Sequence, residues 1–386
     1  MSMNQNPEAY IEKIKKKIAL RFADPKSIVG REMELDILNE ICNGKGNFAY
    51  ITGGYSTGKS LMLSSLESPT GGFIINIDGR SGGDMTHQLK HVLDEIKNPY
   101  LIKWRDAFDK TPKSKSIPGE LAKDLARVII TDASSLETLL VTIASECRAG
   151  PITLIVDEAN NFLNAKQGDS KEILDMLVKM TKQTKKINVI LSSSNFTFPY
   201  SLTGFGFNTA VLDPFIVTGD VSPKDTYKLL RECGMGDELA KELIGVFGGH
   251  LFLIRRAIGH IAFEKERYKP IMTYDPFNTS FVERAMKQNE QFNGRMQEAL
   301  IQLAEKGFYP LEGDDPLGKA LAKLDIAGFV PINAKVPESV VPQSVRNDEA
   351  GMVPTSQVIR VILASDLVKK GLEDYQSTKK WWWWNK

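Results

Sequence analysis

Lys59 and Ser60, Asp157 and Glu158, and Ser194 with Asn195 are the side chains whose types and settings suit chemistry on a phosphate. Residues 53–60 read Gly-Gly-Tyr-Ser-Thr-Gly-Lys-Ser, a glycine, four residues, then Gly-Lys-Ser. Gly53, Gly54 and Gly58 let the main chain of Tyr55, Ser56 and Thr57 wrap closely round a polyphosphate, with successive N–H groups available to it. Lys59 would reach the β- and γ-phosphates as a solvent-side cation, and the Ser60 hydroxyl would take Mg²⁺. Asp157-Glu158 closes an apolar run. There, Asp157 would serve the same metal, and Glu158 would orient and polarise an attacking water. Ser194 and Asn195 end the next apolar run and could contact the γ-phosphate or that water; the sequence does not separate them.

These groups need a parallel sheet to hold them. The phosphate loop follows Phe48-Ala49-Tyr50-Ile51 and leads into Leu61-Met62-Leu63, a strand–loop–helix setting. Ile152 to Val156 and Ile187 to Leu191 are continuous apolar runs of strand length, as in sheets buried on both faces. With Phe73 to Ile77 and helical stretches between them, they predict an α/β sheet with right-handed crossovers. Beyond Pro214 the pattern turns helical: Ser222 to Cys233, Gly236 to Phe247, and His250 to Glu266. Gly248-Gly249-His250-Leu251 opens the last of these helices. Its glycines would let main chain approach a base or ribose, and Arg255 or Arg256 could reach a phosphate.

The expected division is an N-terminal helix over 1–25, an α/β domain over 26–218 and a helical lid over 219–280. A winged-helix-like domain over 281–370 and a tail over 371–386 follow. The C-terminal domain rests on helices at 281–289, 295–306 and 316–327, with a strand at 358–363. The polar stretch 331–352 reads as a mobile wing. Residues 84–97, 119–130 and 135–148 read as helices, and the proline-punctuated 98–118 as a surface insertion.

The 386 residues exceed one ordinary core, and 49 Lys plus Arg against 48 Asp plus Glu leave no field drawing the chain to nucleic acid or membrane. Three scattered cysteines (Cys42, Cys147, Cys233) point to a reducing, intracellular setting, cytoplasmic or nuclear. His87 and His91 lack a third ligand and read as solvated. No apolar run is long enough to span a bilayer. Trp381 to Trp384 receive no function.

With these pieces placed, the chain resembles a STAND-type ATPase of the wider AAA+ group. Ile28-Val29-Gly30-Arg31-Glu32 resembles the adenine-side box before the phosphate loop. Gly53–Ser60 and Asp157-Glu158 match the two Walker motifs, Ser194/Asn195 stands where sensor 1 does, and Gly248-Gly249 matches the lid signature, with Leu251 in place of its proline. Asp78-Gly79-Arg80, Ile155 to Asn160, Ser192 to Ser194 and Gly219 to Ser222 are similar to the ATPase module of Crinkler-type proteins. The resemblance spans roughly 26–265. Residues after 281 lack the acidic Glu-x-Lys cluster of the nuclease that often accompanies that module.

The resemblance implies a P-loop NTPase domain, a helical lid and a winged-helix-like domain, with ATP and Mg²⁺ as ligands. Val29, Gly30, Arg31, Gly53 to Leu61, Gly249, His250 and Arg255 would bind nucleotide. Glu158, Lys59, Ser194 and Asn195 would serve hydrolysis, and Ser60 and Asp157 would serve the metal. The expected function is a slow ATP-hydrolysing switch that self-associates in its ATP state, with ADP as product. Two rival readings stay open: a DNA-binding initiator, disfavoured by the neutral charge, and a nucleotide-binding adaptor without turnover.

Overall fold

The computed structural model describes residues 7–23, 28–67, 72–81, 137, 140–141, 151–163, 167–204, 206–261, 292–306, 308–312, 315–324, 326–331, 334–337 and 350–354. The expected helices at 84–97, 119–130 and 281–289, nearly all of the helix at 135–148, and the insertion at 98–118 lie outside these residues. So do His87, His91, Cys147, the strand at 358–363 and the tryptophan run. The chain forms two compact units: residues 1–34, 53–65 and 216–386 in one, and residues 35–52 and 66–215 in the other.

The second unit is built on a parallel sheet. Its strands are β1 (Phe48–Thr52), β2 (Phe73–Asp78), β3 (Ile152–Asp157) and β4 (Ile187–Ser193). A short β5 (Phe215–Val217), which begins at the last residue of this unit, completes the order β2-β3-β4-β1-β5. Every residue of β1, β3 and β4 is buried, which is why their sequences run apolar without alternation. The register sets Thr52 beside Ser193 and Asp78 beside Asp157. The carboxyl ends of four neighbouring strands therefore carry the polar groups, the edge at which open α/β sheets bind ligands.

Inside this unit Tyr50 packs its ring on Phe215 at 4.9 Å and on Phe198 at 6.0 Å. Asn188, fully buried, donates from Nδ2 to the Gly44 carbonyl at 2.9 Å and accepts at Oδ1 from the Asn47 amide at 3.1 Å, fastening the turn ahead of β1. The helix expected at 169–184 is α-helical over Gln167–Val178 and widens to a π-turn over Lys179–Gln183, closed by the Thr184 amide on the Lys179 carbonyl at 2.9 Å.

The first unit gathers helix α1 (Pro7–Ala23), the phosphate loop and its short helix α2 (Lys59–Ser64), the lid and the C-terminal region. The lid has three helices: α3 (Pro223–Glu232), α4 (Asp237–Phe247) and α5 (Leu251–Ile261). Ser222 caps α3 by accepting from the Asp225 amide, with Pro223 in the first turn. One buried cluster runs from Ile11, Ile14 and Ile18 of α1 through Leu229, Leu243 and Ile254 of the lid to Leu300, Leu321 and Met352. The spacing of 11, 14 and 18 is a helical stripe, so the lysines of α1 fall on its other faces.

The C-terminal region is winged-helix-like: α6 (Asn293–Lys306), β6 (Tyr309–Pro310), α7 (Pro316–Lys323), β7 (Ala327–Val330) and β8 (Gly351–Pro354). Its antiparallel sheet has the order β6-β8-β7. The helix expected over 316–327 stops at Lys323, because the β-forming Gly328-Phe329-Val330 pairs with β8. Of the stretch 331–352 expected as a mobile wing, residues 332–333 and 338–349 lie outside the described residues; near its start the Lys335 carbonyl accepts from the Val217 amide at 2.9 Å. Among the described residues, no helix is long and apolar enough to cross a membrane.

Candidate functional site

The phosphate loop leaves β1 at Thr52 and turns on two residues with positive φ, Ser56 (61°) and Gly58 (94°). A side chain on Gly53 would lie 2.0 Å from the Thr218 carbonyl, so only glycine passes there. Lys59 is not the solvent-side cation its motif suggests. It is 5% exposed, and Nζ donates to the Gly53 and Gly54 carbonyls at 2.8 and 2.9 Å. Burying an ammonium requires such acceptors, and the loop supplies them from its own main chain. Thr57 Oγ1 closes the turn on the Gly54 carbonyl at 2.9 Å.

Arg31 is the second buried cation, 3% exposed. Its guanidinium donates to the Thr57 carbonyl at 2.8 Å, to the Gly219 carbonyl, and to Glu34 at 3.1 Å. It thus ties the adenine-side box, the phosphate loop and the start of the lid together. Burial pushes the Glu34 carboxyl up, opposed by the neighbouring Arg31 charge.

A cleft of about 180 Å³ opens beside this loop, within the same unit. Of the residues expected to bind nucleotide, Val29, Arg31, Ser56, Thr57, Gly58, Leu61, Gly249 and Arg255 line it. Gly30, Gly53, Gly54, Tyr55, Lys59, Ser60 and His250 do not. Gly30 holds φ at +65° against Val221 and Asp225, a backbone role. Gly249 has a reason beyond ligand approach: a Cβ there would sit 1.6 Å from the Val221 carbonyl. His250 is buried, with its Nδ1 unpartnered, and its ring lies 6.5 Å from Phe252. Arg255 faces the cleft, whereas the Arg256 guanidinium lies 5.9 Å from the centre of the Phe252 ring. Sequence reasoning missed Arg21, Asp220, Leu229 and Phe252 on the cleft wall. An arginine ending an amphipathic helix and an exposed aromatic beside a double glycine were the available signals.

In the other unit, the ends of β2, β3 and β4 meet. Arg80 grips Asp78 with two donors, Nε at 2.8 Å and Nη2 at 2.9 Å, and reaches Asp157 Oδ2 at 3.4 Å. The hydrogen bonds from Arg80 hold the Asp78 carboxyl below its usual range, and the same bonds raise the arginine. Glu158 sits at φ 50°, a conformation rare outside glycine. Its carbonyl would be 2.4 Å from a Cβ on Gly79, which accounts for the glycine of Asp78-Gly79-Arg80.

Ser194 and Asn195 now separate. Ser194 Oγ donates to Glu158 Oε1, and its amide lies 3.4 Å from Oε2. Asn195 Oδ1 accepts from the amide and hydroxyl of Thr197 at 2.8 and 2.7 Å, a local turn that starts the next helix. Ser193 donates to Asn160 Oδ1 at 2.7 Å. The arrangement brings a carboxylate, a hydroxyl and an arginine-held aspartate to one strand edge.

The solved structure of the Walker-type ATPase PABY2304 of Pyrococcus abyssi superposes with a TM-score of 0.53 at 14% identity, over 88% of this chain and 97% of its own. The ORC1 protein of Aeropyrum pernix in complex with DNA matches with a TM-score of 0.38 at 14% identity, over 89% and 94%. The ADP form of ORC2 from the same organism gives 0.43 at 12%, over 88% and 96%. The first likeness shows the fold. No family profile and no curated protein matches the chain. The fold is that of a P-loop NTPase with a helical lid and a winged-helix-like C-terminal domain.

Proposed function

We propose that this protein binds ATP with Mg²⁺ and hydrolyses it, as an AAA+-type nucleotide switch. The observation that supports this most is the phosphate loop, whose Lys59 and Arg31 are buried on main-chain carbonyls beside the cleft. The fold shared with a Walker-type ATPase is consistent with it. In this reading the N–H groups of residues 54–58 bind phosphate oxygens, and Lys59 exchanges a carbonyl partner for the β- and γ-phosphates. The apolar wall of Val29 and Leu229 excludes water from the base.

Ser60 and Asp157 are oxygen donors of the kind Mg²⁺ takes. Among the described residues no cluster of three or more His, Cys, Asp or Glu could hold a metal alone, which suits an ion carried largely by substrate phosphates. The ion would neutralise charge on the transferred phosphoryl group. Glu158 accepts the proton of the attacking water, and Ser194 holds the carboxylate in place until that water arrives. The finer readings are that the lid and winged-helix region rearrange with nucleotide state, as in a STAND-type switch whose ATPase module is similar to that of Crinkler-type proteins, and that the ATP state self-associates. Equilibrium ATP binding, phosphate release and light scattering with and without ATP, on the full chain, test all three. Binding without release leaves the adaptor reading, and no binding removes the proposal.

A further inference from the structure

The N-terminal helix lies outside every nucleotide motif, yet its Arg21 lines the cleft. Helical spacing accounts for this: 21 follows 18 by three positions, so Arg21 extends the stripe of Ile11, Ile14 and Ile18 buried against the lid. The helix is fixed at its other end as well. Tyr10 Oη donates to the Gly234 carbonyl at 3.2 Å and accepts from the Gly236 amide at 2.6 Å. Arg21 Nη2 pairs with Glu232 at 2.7 Å, with side-chain exposures of 44% and 40%.

An ion pair this exposed contributes little to stability. Its position matters more. Glu232 lies three residues beyond Leu229 on the same lid helix, and Leu229 forms part of the apolar cleft wall. Glu232 therefore holds the guanidinium at the Leu229 side of the cleft, where apolar surface suits a base rather than phosphates. A planar guanidinium there can stack on a purine face or donate to ribose oxygens.

We propose that Arg21 is a nucleotide-binding residue on the base and ribose side, so that the N-terminal helix forms part of the clamp. This rests on the ATP-site reading above. The test compares two ligands by competition binding to the full chain: ATP, and inorganic tripolyphosphate, which lacks base and sugar. Arg21→Ala should weaken ATP about five- to tenfold, the size of one lost hydrogen bond or stacking contact, while tripolyphosphate binding stays unchanged. Arg21→Lys, which keeps charge but not the planar fork, should recover only part of the loss. Glu232→Ala, which removes the anchor that places the guanidinium, should cause a smaller loss than Arg21→Ala, again for ATP and not for tripolyphosphate. Equal losses for both ligands in Arg21→Ala, no loss of ATP affinity in Arg21→Ala, or a Glu232→Ala loss that extends to tripolyphosphate would each overturn the assignment. If the unmodified chain binds neither ligand, the site reading itself fails, which is a different result.

Discussion

The two halves of the candidate machinery hold their charges differently. In the phosphate-loop unit, Lys59 and Arg31 are buried and rest on main-chain carbonyls of Gly53, Gly54, Thr57 and Gly219. In the sheet unit, Asp78 and Arg80 are about half exposed and, like Glu158 and Ser194, hold each other through side chains. Carbonyls move only with the fold, whereas side chains change rotamer in picoseconds to nanoseconds at exposed sites. The first half reads as a preformed cradle and the second as an adjustable set, able to exchange partners during a reaction. The contrast is between a fixed cradle and a set of side chains that can change partners.

Disrupting the cradle should have the largest effect. Arg31→Ala leaves Glu34 buried without its cation, and should cost about 3–5 kcal/mol of stability. Chemical denaturation checks this, and adding Glu34→Gln should restore part of the loss. A melt unchanged by Arg31→Ala would mean that the cradle is not held by charge. Lys59→Ala should remove measurable ATP binding. Because the Gly53 and Gly54 carbonyls lose their donor, it should also lower stability by about 1–3 kcal/mol. ATP binding at ordinary affinity in that variant would remove Lys59 from the site.

The adjustable side should give the smallest effect. Asp78 has its carboxyl lowered by Arg80, so its contribution is present above the unfolded-state value and is lost as pH falls through the lower folded one. Solvent screens a pair this exposed. Arg80→Ala should therefore leave stability at neutral pH nearly unchanged and remove a slight acid-side dependence below pH of about 4. A large neutral-pH loss, read by thermal melting, would place Arg80 among the fixed groups.

The same contrast decides what could be read from the sequence. The loop was legible because close main-chain approach demands glycine at Gly53 and a positive φ favours it at Gly58, and the buried strands because burial on both faces leaves no alternation. Glu158 and Asp157 were legible as a pair ending such a strand. Burial of Lys59 was not, since a motif names a cation without naming its acceptors. Arg21, Asp220 and Phe252 were missed because a cleft wall gathers residues far apart in the chain. Ser194 and Asn195 parted only when the side-chain partners were known. The helix expected to reach 327 stops at Lys323, and the strand at Ala327–Val330 went unread because so short an apolar run fits either period.

The most direct test of the account is Glu158→Gln, with ATP binding and phosphate release measured on the same preparation. The substitution keeps the side chain's size and a partner for Ser194 but removes the proton acceptor. ATP affinity should stay near that of the unmodified chain, while phosphate release falls on the order of a hundredfold or more. Unchanged release would show that Glu158 is not the catalytic carboxylate and contradict the mechanism proposed for this site.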